Sequence, residues 1–186
     1  MPESRVDDDA RLVKRAKKGD SEAFGQLHDR YADSIFRFLQ ARLDNRMDAE
    51  DLFGEVFLRA WHSLPRYQQQ GYPFSAYLFR IARNLLVDHY RKSSRHEEVL
   101  QHNDSLLQAV QSSPDEKIMR KQEYQELNKK LAGMREDYRD VLVLRFISGL
   151  SPDETAAVMG RSSGAIRVLQ HRALKAFREQ AEVGKE

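Results

Sequence analysis

Apolar side chains recur along this chain chiefly at intervals of three and four, the spacing that gathers them on one face of an α-helix. Phe24, Leu27, Tyr31, Ile35, Phe38 and Leu39 form a first stripe, opened by Asp20-Ser21 with an acid at Glu22, after Gly19 has ended an earlier short helix. Phe53, Val56, Phe57, Ala60 and Leu64 form a second, on a helix that should start near Asp48, whose carboxylate can accept first-turn N–H groups, and stop at Pro65. Behind the loop RYQQQGYP, Leu78, Phe79, Ala82, Leu85, Leu86 and Tyr90 predict a helix from about Phe74 to Ser93. Farther on, Tyr138, Val141, Leu142, Leu144 and Phe146 continue helical until Gly149. The tetrapeptide SPDE, at Ser113 and again at Ser151, supplies a serine cap, a proline at the first helical position and an acid three after the cap. Pro152 to Met159 then reads as a short helix that Gly160 ends in a left-handed conformation, and Ser162 or Ser163 caps the next. In that last helix Ile166, Leu169, Ala173, Ala176 and Phe177 face inward, and the pair carries the punctuation of a helix-turn-helix.

Composition narrows this to an all-α chain. The 186 residues are 40% hydrophobic, with nine glycines and five prolines, which suits helices better than a sandwich of short strands. Charge then divides the chain. The net charge is only +2, but residues 96–116 hold five acids and neither Lys nor Arg, directly after a basic segment that closes at Arg95. The expected organisation is two small helical domains, 8–95 and 114–183, joined by a linker over 96–113, with the helix-turn-helix in the second. The pairs Val99-Leu100 and Leu106-Leu107 would let the linker dock on either flank. Cysteine is absent, which removes disulfides, thiolate zinc sites and cysteine nucleophiles. No signal peptide is evident at the N-terminus, and no apolar run approaches the roughly 18 residues of a membrane span, so a soluble chain without membrane insertion is expected.

Three polar faces stand out once the apolar stripes are assigned. Asp51, Glu55, Leu58 and His62 share one side of their helix; a solvated surface accounts for them, and a partner-binding face is the sharper reading. Tyr77, Arg80, Asn84, Asp88 and Arg91 line the side of the next helix opposite its apolar stripe, with Tyr67, Tyr72 and Phe74 beside them in the loop. Guanidiniums for phosphates, an amide for a base edge and aromatic rings for unpaired bases suit a nucleic-acid strand, although aromatics at this spacing are commonly core. On the last helix Arg167, His171, Lys175 and Arg178 form a stripe flanked by Arg172, and from Thr155 through Arg178 there are five bases and no acid. Its natural counterpart is a polyanion read in a major groove, against the plainer alternative of a solvated basic helix.

Four phrases, AFGQLHDRYADSIFRFL, AEDLFGEVFLRAWHSL, FSAYLFRIARNLLVDHYR and REDYRDVLVLRFISGLSPDETAAVMGRSSGAIRVLQHRALKAFR, together resemble a group IV (extracytoplasmic-function, ECF) sigma factor of bacterial RNA polymerase, in order and spacing, over almost the whole chain. The resemblance implies a two-domain bacterial cytoplasmic protein that binds core RNA polymerase and directs promoter-specific initiation. It assigns Asp51, Glu55 and Leu58 to the β′ clamp, with further contacts to β; Gly54 stands where a glutamine is common. It assigns Tyr72, Phe74, Tyr77, Arg80, Asn84, Asp88 and Arg91 to melting and capture of the minus-ten strand, Asn84 and the loop holding a flipped base. Tyr77 replaces a frequent tryptophan. Ser162, Ser163, Arg167, Val168, His171, Arg172 and Lys175 are assigned to the minus-thirty-five duplex. The resemblance also implies an anti-sigma factor that wraps both domains.

Two rival classes explain less. A helix-turn-helix repressor accounts for residues 151–178 but leaves the first ninety without a ligand pocket or a dimerisation heptad. An enzyme lacks its signatures: there is no HExxH pair, His96 and His102 are six apart, "DHY" at Asp88 reverses a phosphohydrolase motif, and no phosphate loop or nucleophile elbow occurs. The chain is therefore expected not to be an enzyme and to need no cofactor or metal.

Overall fold

The protein is described from a computed structural model that covers residues 3–68, 71–96 and 127–183. Among these residues every regular element is helical. The N-terminal unit comprises α1 (Glu3–Ala16), α2 (Ser21–Gln40), α3 (Arg46–Ser63) with a 3₁₀ turn at Leu64–Arg66, and α4 (Phe74–His96). The C-terminal unit comprises α5, helical over 127–132, α6 (Glu136–Leu142), α7 (Pro152–Met159) and α8 (Ser163–Val183). All of the expected linker except His96, which ends α4, and the first SPDE at Ser113 lie outside the described residues.

Four of the helices, α2, α3, α7 and α8, begin where a side chain takes up an orphan N–H group. Asp20 caps α2, accepting from Ala23 N at 3.0 Å. The start of α3 corrects the expectation at Asp48: the helix is capped three residues earlier by Asn45, whose side chain accepts from Met47 N at 2.9 Å. Asp48 falls instead in the first turn, where its negative charge still meets the positive end of the helix dipole. Pro65 sits in the 3₁₀ turn that closes α3, and α4 runs three residues beyond Ser93.

The apolar stripes meet as their spacing requires. Leu27, Ile35, Phe38 and Leu39 of α2, Val56 and Ala60 of α3, and Leu78, Phe79 and Ala82 of α4 are sealed from solvent, with Phe38 and Phe79 edge to face at 5.5 Å. Burying one such large side chain stabilises the fold by about 1.5–3 kcal/mol. Leu12 and Val13 bring α1 onto this core, and Arg30 of α2 pairs with Asp8 and Asp9 to hold it there.

In the second unit α6 continues into a π-helical turn, Val143–Ile147. The wider turn leaves Val143 and Leu144 buried and rotates Phe146, at 57% exposure, out of the stripe that strict helical spacing would give it. Glu154 N bonds Ser151 Oγ at 3.1 Å and Ser151 N bonds Glu154 Oε2 at 2.8 Å, so the second SPDE is a complete capping box. Gly160 ends α7 at φ 65°, ψ 37°. Of the two serines that follow, Ser162 is the cap, accepting from Ala165 N at 3.2 Å; Ser163 donates instead to Asp153.

Two glycines should therefore respond in opposite directions. A Cβ on Gly54, in the exposed middle of α3, would meet nothing within 4 Å, so Gly54→Ala is expected to stabilise the unit by up to about 1 kcal/mol. Gly160→Ala forces a side chain into left-handed backbone and should cost about 1–2 kcal/mol. Urea unfolding of the two variants against the parent checks both signs.

Candidate nucleic-acid interface

The capped turn between α7 and α8 aims one face of α8 outward. Ile166, Leu169 and Ala173 are buried, and this leaves Arg167, Val168, His171, Arg172 and Lys175 exposed on the far side. Val168, at 52% exposure, is a bare apolar group among cations. Ser162 is exposed at the start of this face, and Ser163, half-buried, is turned toward Asp153. Six of the seven residues expected at the duplex-reading surface thus lie on α8, between Ser163 and Lys175, and the seventh, Ser162, is its cap.

The α4 face is less uniform. Tyr72 is exposed in the loop, and Asn84, Asp88 and Arg91 are exposed along the helix. Phe74 differs from expectation: at 3% exposure it is a core residue, with ring centroids 6.2 Å from Tyr31, 5.8 Å from Tyr67 and 5.5 Å from Tyr77. Its position at the start of α4 turns it inward with Leu78, so it supports the aromatic cluster and presents no face to a base. Tyr67 and Tyr77 are half-buried beside it, their rings tilted against each other with centroids 4.5 Å apart. Burial raises both phenol pKa values, Tyr67 being raised further by the neighbouring Tyr77 and Tyr77 being partly relieved by its hydrogen bond with Ser63. Arg80 is exposed along its stem while its guanidinium donates to the Ala157 carbonyl of α7 at 2.8 Å.

Asn84 opens onto a shallow recess of about 450 Å³ that it shares with Ile81 and with Arg59, His62, Ser63 and Arg66. Arg59 and Arg66 are therefore candidate strand contacts that the sequence reading omitted. Their signal was present as cations near the end of α3 and in the 3₁₀ turn that follows it, but only the packing of α3 on α4 sets them beside Asn84.

On α3 itself, Asp51 and Leu58 are exposed, the latter at 51%, and Glu55 is half-exposed and bonded to Arg59 at 2.6 Å. Met47, at 69% exposure, extends the same stripe by one turn and was also missed, although its offset of four from Asp51 was legible. Among the described residues no group of His, Cys, Asp or Glu could hold a metal ion, and no helix is long and apolar enough to cross a membrane.

Both helical units match known protein families. The family Sigma-70 region 2 matches residues 27–96, and Sigma-70, region 4 matches residues 124–177. The ECF RNA polymerase sigma factor BldN of Streptomyces coelicolor is 37% identical over 164 residues, 88% of this chain and 62% of that protein. The ECF RNA polymerase sigma factor ShbA of Streptomyces griseus is 36% identical over 184 residues, 92% of this chain and 94% of its own. Among solved structures, the sigma factor RpoE in complex with the anti-sigma factor NepR from Bartonella quintana superposes with a TM-score of 0.69 at 25% identity, covering 86% of this chain and 97% of that one. The chain belongs to the ECF sigma factors of the sigma-70 family.

Phe74 and Tyr72 give a direct test of which aromatic is structural. Phe74→Ala should lower stability by about 3–5 kcal/mol, as loss of a buried ring does. Tyr72→Ala, on exposed loop, should stay within about 0.5 kcal/mol of the parent. Thermal unfolding followed by circular dichroism separates the two.

Proposed function

We propose that this chain binds core RNA polymerase and directs promoter-specific initiation, reading a minus-thirty-five duplex with α8 and melting and capturing the minus-ten strand with α4. The observation that carries the reading is the pairing of an outward α8 face, which carries cations and no acid from Ser163 through Arg178, with the separate Asn84 recess, each on its own helical unit. The boundaries that go with it are 8–95 for region 2, 96–113 for the linker and 114–183 for region 4.

At the duplex, Arg167 and Arg172 suit base edges or phosphates, His171 and Lys175 neutralise the backbone, Val168 suits a thymine methyl, and Ser162 and Ser163 lie where the helix N-terminus meets phosphate. At the strand, Tyr72 and Tyr77 offer rings, Arg80 and Arg91 meet phosphates, Asp88 accepts from a base or sugar, and Asn84 receives a flipped base. Binding of the unpaired strand offsets the few kcal/mol needed to unstack it, so opening requires no chemical step. Phe74 acts from beneath, by holding Tyr67 and Tyr77 in place. Asp51, Glu55 and Leu58, extended by Met47, form the surface for the β′ clamp, with further contacts to β. The likeness to a sigma factor held by NepR supports an anti-sigma partner for this chain as well.

Substitutions should separate the three surfaces. Arg167→Ala and Arg172→Ala are each expected to weaken duplex binding by roughly 1–3 kcal/mol while leaving affinity for core unchanged. Asn84→Ala should impair opening, and a pre-melted template should restore less than the full activity, because capture as well as melting is lost. Asp51→Ala combined with Leu58→Ala should reduce core affinity instead. Transcription with purified core on linear, bubble and mutant templates, beside a core-binding assay, reads all three; a chain that core ignores would defeat the proposal.

A further inference from the structure

Hydrogen-bond polarity divides the two serines at the start of α8. Ser162 Oγ accepts from Ala165 N at 3.2 Å, which leaves its own proton free to donate. Ser163 Oγ stands the other way round. It donates to Oδ1 of Asp153 on α7, a carboxylate that can only accept, so its one proton is committed and only lone pairs are left for an outside partner. Asp153 is exposed, and its second oxygen adds acceptor sites beside Ser163. The cation next along the turn does not cancel them, because Arg161 turns to Asp137 of α6 at 3.6 Å. Counted along the chain, Asp153 falls outside the α8 face; the left-handed turn at Gly160 folds it back against the first residue of that face.

The result is an acceptor-only patch at the N-terminal end of a surface that is otherwise cationic. One helical turn on, about 5.4 Å along the axis, Arg167 is exposed and can only donate. Phosphate oxygens bring no proton, so a duplex backbone gains nothing from Ser163 and is repelled by Asp153; Ser162 and the arginines serve it instead. In the major groove guanine and thymine would show this patch acceptors, and adenine shows an acceptor beside its amino group. Cytosine offers an amino group with no acceptor next to it.

We infer that Ser163 and Asp153 together read a cytosine in the minus-thirty-five duplex, Ser163 Oγ and the free carboxylate oxygen accepting from its N4 amino group. Asp153 is the positioning residue, since it fixes the polarity of Ser163. The inference rests on the assignment of α8 to the duplex and names one base that α8 reads. A pair that only stapled α7 to α8 would make no base distinguishable.

Holoenzyme assembled from purified core and the full chain, mixed with a duplex library of random sequence, provides the test when the bound fraction is sequenced. The parent should enrich an upstream motif in which one position holds cytosine over each other base by about tenfold, the discrimination of a good base contact. Ser163→Ala, which removes the acceptor, and Asp153→Asn, which puts a donor in the patch, should each relax that same position to about twofold or less and leave the rest of the motif in place. Ser163→Thr, which keeps the hydroxyl, should keep the preference. The double variant should do no more than either single one, because the two groups act as a unit. Should Asp153→Asn loosen α7, as circular dichroism would show, Ser163→Ala and Ser163→Thr carry the comparison. An unchanged cytosine in Ser163→Ala, uniform weakening at every position, or a variant-sensitive position that holds another base overturns the inference while leaving α8 as the duplex reader. A parent holoenzyme that enriches no upstream motif overturns the assignment of α8 and the inference with it.

Discussion

A carboxylate shut away from water has to find its counter-charges, and Asp140 finds them on the other unit. One oxygen faces Arg42 and the other Arg83, so α2, α4 and α6 converge on a single buried acid. Removing either partner would leave an uncompensated charge in a low-dielectric site, which is far more costly than the pair itself is favourable. The juxtaposition of the two units therefore includes a buried polar cluster beside the apolar packing of α7 on α4 and of the π turn on α2. Leu144 and Ile166 of the second unit belong to the same continuous set of buried apolar side chains as Phe38 and Phe79 of the first.

A buried polar contact thus joins the two units beside their apolar packing. The uneven charge around Gly160 fits the same scheme. The acids of α7 lie in its first turn, where they complete a capping box and where Glu154 reaches Ser75 of α4. The bases of α8 lie on a face turned away from that contact. One short helix-turn-helix thus presents an anionic end to its own chain and a cationic face to solvent.

The aromatic cluster at the start of α4 shows how packing divides labour among similar residues. Phe74, Tyr67, Tyr77 and Tyr72 lie within a few residues of the same turn, yet they range from a sealed ring to an open one. Phe74 has no polar edge to satisfy and goes under. Tyr67 and Tyr77 keep their hydroxyl ends near the surface, Tyr77 against Ser63, and their phenol pKa values rise with burial.

The stripes of α2, α3 and α4, the capping box at Ser151 and the left-handed Gly160 were all legible in the sequence, because each depends on spacing or on a local φ preference. Competition between equivalent local signals was not. Asn45 and Asp48 could each cap α3, Ser162 and Ser163 could each cap α8, and only the path of the incoming chain chose Asn45 and Ser162. The π turn that frees Phe146, the burial of Phe74, the convergence of Arg59 and Arg66 on Asn84, and the meeting of Arg42 with Asp140 are tertiary outcomes. They join residues through packing rather than along one helix face, and periodicity, which describes one helix at a time, carries no information about which helices come to face each other.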